Sequence, residues 1–380
     1  MVLLTACGGK PRVVPPPRPA SHSQPGASAV RDNPAPVRVL LCEQFSQIEV
    51  RGARRADQLW IEVQGDGLVL RPVSSGAPVE RGTGFRLEAK AGGGLSIAGK
   101  SYRGALEAFI NPLGVAVLVN DIDIEDYLRG VVPNELGPRA FPLLEALKAQ
   151  SVAARTYALR HSGSQVRRGF DMFDDNRSQV YAGVQSEDDL SDRAIRETAG
   201  VIASFEGEPI WALYSSTCGG LTEGFRYAFG GPSPPYLEGG ASCFDQQSRY
   251  YRWSRVLSPQ DLRSALSGRP DIGRPEDIRL VNRSPTGRLT QVEIVGSRGR
   301  VALSGPQFRS LLDLRSTAVD VVRIEHDSQG AISSVEIQGR GWGHGVGLCQ
   351  MGAVHLAGRG FGYAEILRHY YQGIDVTTAR

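Results

Sequence analysis

A glutamate inside an apolar stretch is the first residue whose setting points to chemistry. Glu135 follows Val131-Val132-Pro133 and precedes Leu136, and the next basic residue is Arg139. Apolar surroundings raise the pKa of a carboxyl group, so such a group can stay protonated near neutral pH and act as a general acid. The alternative is a surface glutamate at the start of a helix.

Glycines alternate with other residues in a second segment, over 339–353. Because glycine has no side chain and accepts backbone angles that other residues resist, such a loop brings backbone close to a ligand. His344 and Gln350 lie in this segment and can give hydrogen bonds. An earlier polar loop offers three hydroxyl groups, those of Ser215, Ser216 and Thr217. The alternatives are a glycine-rich structural turn with a buried histidine, and hydroxyl groups that only cap a turn.

The cysteines are open to more than one interpretation. Five occur, and none forms a Cys-x-x-Cys pair, so a ribbon-type zinc site is not expected. Cys218 and Cys243 flank the polar loop and can close it as a disulfide. Cys42 and Cys349 can also pair, and the sequence alone does not settle the connectivity.

The remaining cysteine, Cys7, ends the segment Leu4-Thr5-Ala6-Cys7, which resembles the bacterial lipobox, in which the cysteine is acylated. A chance match is the alternative, because no charged stretch and almost no apolar stretch precede it. Proline, serine, alanine and glycine are frequent over 8–36, which is typical of a disordered spacer. We therefore predict a signal remnant over 1–7, a linker over 8–36 and a location in the cell envelope. Gly8 after the cysteine favours the outer membrane, facing the periplasm, if the cell has two membranes.

Length and charge exclude some classes of protein. The 380 residues carry 43 basic and 40 acidic side chains, a formal net charge of +3, and 41% of them are hydrophobic. This length allows two or three domains with a sizeable core. The near balance of charge argues against nucleic-acid binding, which usually requires a concentrated basic stripe. No apolar run approaches the ~18 residues of a membrane-spanning helix.

The elements that must position these residues differ along the chain. Short apolar stretches between glycine-rich turns predict a β-rich N-terminal lobe over 37–120. Helix-like spacing follows over 125–132 and 141–160, and a mixture of helices and strands continues to residue 380. Within that mixture we predict a loop over 214–236, helices over 259–266, 308–312 and 364–371, and strands over 319–324 and 333–338. The predicted fold class is α+β, with one mixed region over 121–380.

Three segments, in their order and spacing, resemble the SpoIID/LytB family, the stage II sporulation protein D-like peptidoglycan enzymes. The first is DYLRGVVPNE over 126–135, which leads into ALKAQSVAARTYA over 146–158. The second is YSSTCGGLTE over 214–223, followed by Pro235-Tyr236-Leu237. The third is GRGWGHGVGLCQMGA over 339–353.

The resemblance implies a lytic transglycosylase with a glycan-binding cleft in the mixed region. Such an enzyme cleaves the bond between N-acetylmuramic acid and N-acetylglucosamine, in strands stripped of stem peptides, and leaves a 1,6-anhydro end. Glu135 matches the family's essential glutamate, with Glu223 as the alternative acid. Arg155 and Tyr157 are expected to orient Glu135 or the acetamido groups, unless Arg155 pairs structurally and Tyr157 packs. The remaining residues expected to bind glycan are Ser215, Ser216, Thr217, His344 and Gln350.

Metal and partners follow from the same resemblance. Some family members hold zinc through histidine and cysteine in the stretch that matches 169–179, which here contains neither. We therefore expect no metal and no cofactor, and we favour a solvated acidic loop over a calcium site at Asp171, Asp174 and Asp175. The expected partners are glycan strands and a membrane, and no nucleic acid. A non-catalytic enhancer of a cell-wall amidase is the alternative function, and a lipoprotein that only ties membrane to wall is disfavoured by the polar motifs.

Overall fold

The computed structural model describes residues 36–91 and 93–378, and within them the fold is α+β, as predicted. Cys7 and nearly all of the predicted linker lie outside the described residues. The chain divides into two compact units, unit 1 over 1–211 with 377–380, and unit 2 over 212–376. The boundary predicted between 120 and 121 therefore lies inside unit 1. No helix in the described part of the chain has the length and apolar character needed to cross a membrane.

Unit 1 begins with ten strands, in agreement with the predicted β-rich lobe. They are β1 Val37–Glu43, β2 Gln47–Arg51, β3 Gln58–Gln64, β4 Gly67–Pro72, β5 Glu80–Gly82, β6 Gly84–Glu88, β7 Leu95–Ile97, β8 Lys100–Tyr102, β9 Ala105–Ile110 and β10 Ala116–Ile122. The elements that follow are α1 Ile124–Arg129, α2 Val132–Glu135, α3 Leu144–His161, β11 Met172–Phe173, α4 Asp189–Glu197, β12 Val201–Phe205 and β13 Glu208–Pro209.

Two sheets enclose the first apolar core of unit 1. One has the strand order β11-β1-β10-β9-β6 and the other has the order β5-β4-β3-β2-β7-β8. In β6 the side chains alternate between exposed and buried, which is the period of a strand with one face on a core. Strand β10 is buried along its whole length. It pairs with β1 and β9 and leads directly toward α1, so the sheet fixes where the helical part of unit 1 begins.

Helix α3 is the central helix of unit 1 and is buried on nearly every side. Alanines along it, such as Ala149, Ala153 and Ala154, are fully buried and let neighbouring elements approach closely. A helix with buried residues all round lies inside a core and not on its surface. The elements around α3 must therefore satisfy any polar group that it carries.

Arg155 is the charged group that α3 brings into this core, and its side chain is 1% exposed. Its Nε and Nη2 atoms donate to the two carboxylate oxygens of Glu125 at 2.7 and 2.6 Å, and its Nη1 donates to the Val201 carbonyl at 2.9 Å. This geometry corrects the expectation that Arg155 contacts a substrate. The structural alternative applies, because the guanidinium joins α3 to α1 and β12.

We expect Arg155→Ala to lower the free energy of unfolding by about 3 kcal/mol, the lower end for a broken buried ion pair, because Glu125 is partly exposed. Arg196, on the exposed surface of α4, provides the matched control, and Arg196→Ala should change stability by less than ~0.5 kcal/mol. Urea unfolding of the full chain, followed by circular dichroism, measures both. Equal losses in the two variants would contradict the structural role of Arg155.

Unit 2 contains most of the predicted short elements. Its elements are β14 Tyr214–Ser215, α5 Phe225–Phe229, β15 Arg252–Leu257, α6 Pro259–Leu266, β16 Pro275–Arg283, β17 Leu289–Gly296, β18 Gly299–Ser304, α7 Gly305–Leu311, β19 Val319–His326, β20 Ile332–Arg340, β21 Leu348–Cys349, α8 Gln350–Gly358 and α9 Tyr363–Tyr370. A last strand, β22 Asp375–Thr378, ends in unit 1, where it pairs with β12. The helices α6, α7 and α9 and the strands β19 and β20 confirm the corresponding predictions, with small differences at their ends.

Two three-stranded sheets, β15-β20-β19 and β16-β17-β18, share the apolar core of unit 2. Val292, Phe308 and Val335 are among its most buried members. The prediction of a loop over 214–236 was wrong in part, because β14 and α5 lie there. Strand β14 forms only by parallel pairing with β21, far along the chain, and α5 is a single turn, so neither leaves a periodic pattern in the sequence.

Candidate functional site

Glu135 is the last residue of the one-turn helix α2, in unit 1. Proline in the first turn of this helix suits a helix start, because proline has no N–H to leave unpaired. The flanking Val131, Val132 and Leu136 are buried, as the sequence suggested, and Glu135 itself is half-buried. The Val180 N–H donates to Glu135 Oε1 at 2.9 Å. The carboxyl group is therefore held in one orientation at an apolar turn.

Two buried tyrosines face this carboxyl group. Burial raises the pKa of Tyr127 well above its ordinary value, and the charge of Glu135 raises it further. Burial and the charge of Glu135 likewise raise the pKa of Tyr157. Both tyrosines therefore stay neutral. Tyr127 donates to Gln179 Oε1 at 3.1 Å, and Tyr157 stacks on His161 with ring centroids 3.9 Å apart.

Tyr157 is thus near enough to Glu135 for the charge of the glutamate to act on it, and its expected role in orienting Glu135 stays a prediction. Tyr157 also packs, since it is only 8% exposed. Packing in the core and a position near the glutamate are therefore compatible for this residue. A side chain locked by packing can fix the orientation of a neighbouring group without moving itself.

The acidic stretch over 169–179 does not fit a zinc ion, since it offers neither histidine nor thiolate. Asp171 accepts hydrogen bonds from the backbone N–H groups of Arg38 and Gly163, and Asp175 accepts from the Arg177 guanidinium. Burial raises the pKa of Asp174 to about 6, and the charge of Asp175 adds to this. Asp174 and Asp175 are partly buried and Asp171 is buried, so this is not the solvated acidic loop that we expected.

The raised pKa of Asp174 predicts how the stability of the protein changes with pH. Its folded value of about 6 exceeds the ordinary 3.8, so the folded state holds the proton more tightly, and this contribution to stability is lost as the pH rises through 6. Asp174→Asn keeps the neutral form at every pH. Relative to the wild type, the free energy of unfolding of the variant should therefore rise by about 1–2 kcal/mol as the pH increases from about 4 to about 7.5, after discounting for partial exposure.

Urea unfolding at several pH values measures this difference. Asp66→Asn, at an exposed turn that accepts either residue, is the control and should show a difference that does not change with pH. A pH-independent difference for Asp174→Asn as well would contradict the raised pKa of Asp174.

In unit 2 the glycine-rich segment packs against the polar loop. Strands β14 and β21 pair in parallel and set Ser215 opposite Cys349. Gly343 and Gly345 have φ values of +115° and +80°, and a Cβ at Gly345 would clash with the Arg288 guanidinium. Glycine is therefore required at position 345. The Gly345 N–H donates to Ser215 Oγ at 3.2 Å, which joins the two segments.

The five residues expected to bind glycan are brought together here, but most of them face the interior. Ser215, Thr217 and Gln350 are 7%, 0% and 6% exposed. His344 is half-buried, and its Nδ1 accepts from the Val346 N–H at 3.0 Å. Burial, with the charges of Arg309 and Arg288, lowers the pKa of His344 to about 3, so this histidine is neutral. Ser216, which is also half-buried, and His344 are the two that solvent reaches.

Glu223, the alternative acid, has a structural setting. It is 2% exposed, and its Oε1 accepts from the Gly224 N–H at 2.8 Å. Its Oε2 accepts from the Ser284 hydroxyl at 2.6 Å. Both oxygens are thus occupied inside unit 2, which disfavours Glu223 as a proton donor to a substrate.

An exposed aromatic pair was missed from the sequence. Trp342 is 40% exposed, and its ring lies 4.4 Å from that of Tyr250, centroid to centroid. The Arg315 guanidinium lies 5.0 Å from the Trp342 ring centroid and 5.2 Å from that of Tyr250. The two rings meet edge to face, at 77°. The exposed part of the Trp342 ring can pack on the apolar face of a ligand, while the cation offers hydrogen bonds. The signal was a tryptophan among glycines in the segment over 339–353.

The thiols of unit 2 also lie together. Cys218, Cys243 and Cys349 are buried and form no disulfide, and Cys42 is a buried cysteine in unit 1. Burial acts to raise the pKa of Cys218, but hydrogen bonds with Cys243 and Cys349 and the charge of Arg288 lower it to about 5. The predicted disulfide between Cys218 and Cys243 stays a prediction, and the position of Cys349 beside them was not foreseen.

Known proteins resemble this chain in sequence. Residues 114–205 match the family described as Stage II sporulation protein, and residues 235–347 match a domain family of unknown function. Stage II sporulation protein D of Bacillus amyloliquefaciens is 33% identical over 280 residues, which cover 69% of this chain and 76% of that protein. An uncharacterized protein of Brachyspira hyodysenteriae is 33% identical over 285 residues, 74% of each chain. The protein named Amidase enhancer in Bacillus subtilis is 29% identical over 300 residues, 66% of this chain and 40% of that protein.

Proposed function

This chain belongs to the stage II sporulation protein D family, and on that premise we propose that it is a peptidoglycan lytic transglycosylase. Its substrate is the glycan strand, preferably stripped of stem peptides. The bond cleaved joins N-acetylmuramic acid to N-acetylglucosamine, and the product carries a 1,6-anhydro end. The named relatives support a role at the cell wall, and the setting of Glu135 is the observation that favours catalysis.

One carboxyl group suffices for this reaction. The Glu135 carboxyl donates its proton to the glycosidic oxygen as the bond between that oxygen and C1 of the muramic acid breaks. The C6 hydroxyl of the same sugar then bonds to C1, and its proton passes back to Glu135. No water is consumed and the carboxyl ends in its starting form, whereas hydrolysis of the same bond requires a second carboxylate.

The neighbours of Glu135 suit these two steps. The Val180 N–H holds Oε1 at 2.9 Å and fixes the direction of the carboxyl group. Tyr127 and Tyr157 have raised pKa values and therefore do not lose protons to the carboxylate during the cycle. A positioned group of this kind contributes by orientation as well as by its acidity.

The second candidate is a non-catalytic enhancer that binds glycan and stimulates a cell-wall amidase. The relative named Amidase enhancer is the observation that favours it. The buried Ser215, Thr217 and Gln350 are poorly placed for glycan in either function. In both, the exposed Trp342 and the half-buried Ser216 and His344 are the candidates in unit 2 for contact with sugar.

We expect Glu135→Gln to lower the formation of anhydro ends by at least ~10²-fold, because an amide cannot donate the proton that leaves with the glycosidic oxygen. Purified denuded glycan is digested and the anhydro-muramyl ends are counted by mass spectrometry. Glu208→Gln, at an exposed position on β13, is the matched control and should keep wild-type activity. Binding of Glu135→Gln to insoluble glycan should be retained.

Two outcomes would overturn this proposal. Full activity in Glu135→Gln would move the acid to another carboxylate. A wild-type protein that makes no anhydro ends on denuded or peptide-bearing glycan, but raises the rate of an added cell-wall amidase, would establish the enhancer function instead.

We also propose that Cys7 is acylated and anchors the protein in the cell envelope. Expressed behind a complete secretion signal, the wild type should fractionate with membranes and Cys7→Ser should move to the soluble fraction. Ser23→Ala, in the predicted linker, is the control and should remain with the membranes. A Cys7→Ser protein that stays membrane-bound would contradict the anchor.

A further inference from the structure

Three buried thiols of unit 2 converge from three separate segments. Cys218 follows β14, Cys349 ends β21, and Cys243 lies on the loop between α5 and β15. Their Sγ atoms all lie within 4.8 Å of one another, and the three residues are 1%, 0% and 0% exposed. Among the described residues this is the group of side chains whose ligand atoms are spaced to hold a metal ion.

Backbone contacts fix the three segments in place. The Cys243 N–H donates to the Gly220 carbonyl at 2.9 Å, and Leu221 and Ser242 form an isolated bridge, so the loop closes on itself just beyond Cys218. The parallel pairing of β14 with β21 brings Cys349 to the same place. The Cys218 N–H also points at Cys349 Sγ, at 3.4 Å. The cluster is therefore built by the fold and not by flexible side chains.

A carboxylate stands next to one of the three sulfurs. Asp245 is 2% exposed, and its Oδ2 lies 3.6 Å from Cys349 Sγ. The N–H groups of Gly219 and Gly220 donate to its two oxygens, at 2.7 and 3.1 Å. Ligands of a metal ion are commonly held by such outer hydrogen bonds, which orient them.

A buried cation also lies next to the cluster, at Cys218. Arg288 is 2% exposed, and its guanidinium donates to the carbonyls of Cys218 and Gly343 and to the Thr317 hydroxyl. All three of these acceptors are neutral. A buried guanidinium is costly unless negative charge lies close to it. A metal ion with three thiolates carries a net charge of −1 and would supply that charge.

We propose that Cys218, Cys243 and Cys349 bind one Zn²⁺ ion, with Asp245, beside Cys349, as the candidate fourth ligand. Zn–S bonds of about 2.3 Å in a tetrahedron place the sulfurs about 3.8 Å apart, so sulfurs within 4.8 Å must move inward by about 1 Å or less. A disulfide uses only two of three equally buried thiols and leaves the third unexplained. The site is separate from the stretch over 169–179, which does not fit zinc.

Such an ion would act as a structural link within unit 2. It would join the loop that carries Cys218 and Cys243 to the end of β21, directly before α8. Because the ligands lie far apart in sequence, the ion binds the folded chain better than the unfolded one and stabilises it. The proposal does not depend on the reaction catalysed at Glu135.

The test uses the full chain, purified under reducing conditions without chelators. Elemental analysis should find one zinc per chain. Cys349→Ser should lose nearly all of it, whereas Cys42→Ser and Cys7→Ser, which remove thiols outside the cluster, should keep it. Asp245→Asn should weaken the affinity by about 10–100-fold, measured by competition with a chelating dye.

A second measurement keeps the proposal testable if Cys349→Ser does not fold. The wild type, stripped of metal and kept reduced, is titrated with Co²⁺, which should give the intense near-ultraviolet absorption of cobalt bound by thiolates and saturate at one ion per chain. Three results would each overturn the proposal. They are an equal zinc content in Cys349→Ser and wild type, a reduced wild type that gives no thiolate–cobalt absorption, and a zinc-free protein two daltons lighter with Cys218 joined to Cys243.

Discussion

The burial of one guanidinium group constrains the helical part of unit 1. Arg155 lies on a helix that is surrounded on nearly every side, so its charge must be paired with an anion and hydrogen-bonded within the core. The Glu125 carboxylate and the Val201 carbonyl accept its hydrogen bonds, and these contacts hold α1 and β12 against α3. Helix α2, which ends with Glu135, lies in the chain between α1 and α3, the two helices that this ion pair joins.

The setting of Glu135 combines two opposing influences. An N–H donor such as that of Val180 favours an ionised carboxylate, whereas apolar neighbours such as Val132 and Leu136 favour a protonated one. A group that must first give up a proton and then recover one gains from both influences. In the proposed reaction Glu135 must both donate and accept a proton within one catalytic cycle. Glu223 differs in that both of its oxygens are held by internal donors in the interior of unit 2, away from any substrate.

Local patterns predicted what depends on near neighbours in sequence. The strands over 37–120, the long helix α3 and the capped helix α6 are encoded in spacing and turn residues. The role of Arg155 could not be predicted, because its partner Glu125 lies on another helix and either role fits the same residue type. The cluster of Cys218, Cys243 and Cys349 depends on the pairing of β14 with β21. Each of these strands has only two residues, which is too short to give a recognisable strand pattern in the sequence.

The glycine-rich segment of unit 2 shows why motif residues need a structure before roles are assigned. The sequence suggested a loop that lets backbone approach a ligand. In the structure the missing side chain at Gly345 makes room for Arg288, whose guanidinium then reaches the Cys218 carbonyl. The glycine thus serves the interior, beside the thiols, and not a bound sugar. The same packing leaves Trp342 exposed, so the residue of this segment best placed to meet a glycan is the one that interrupts the glycines.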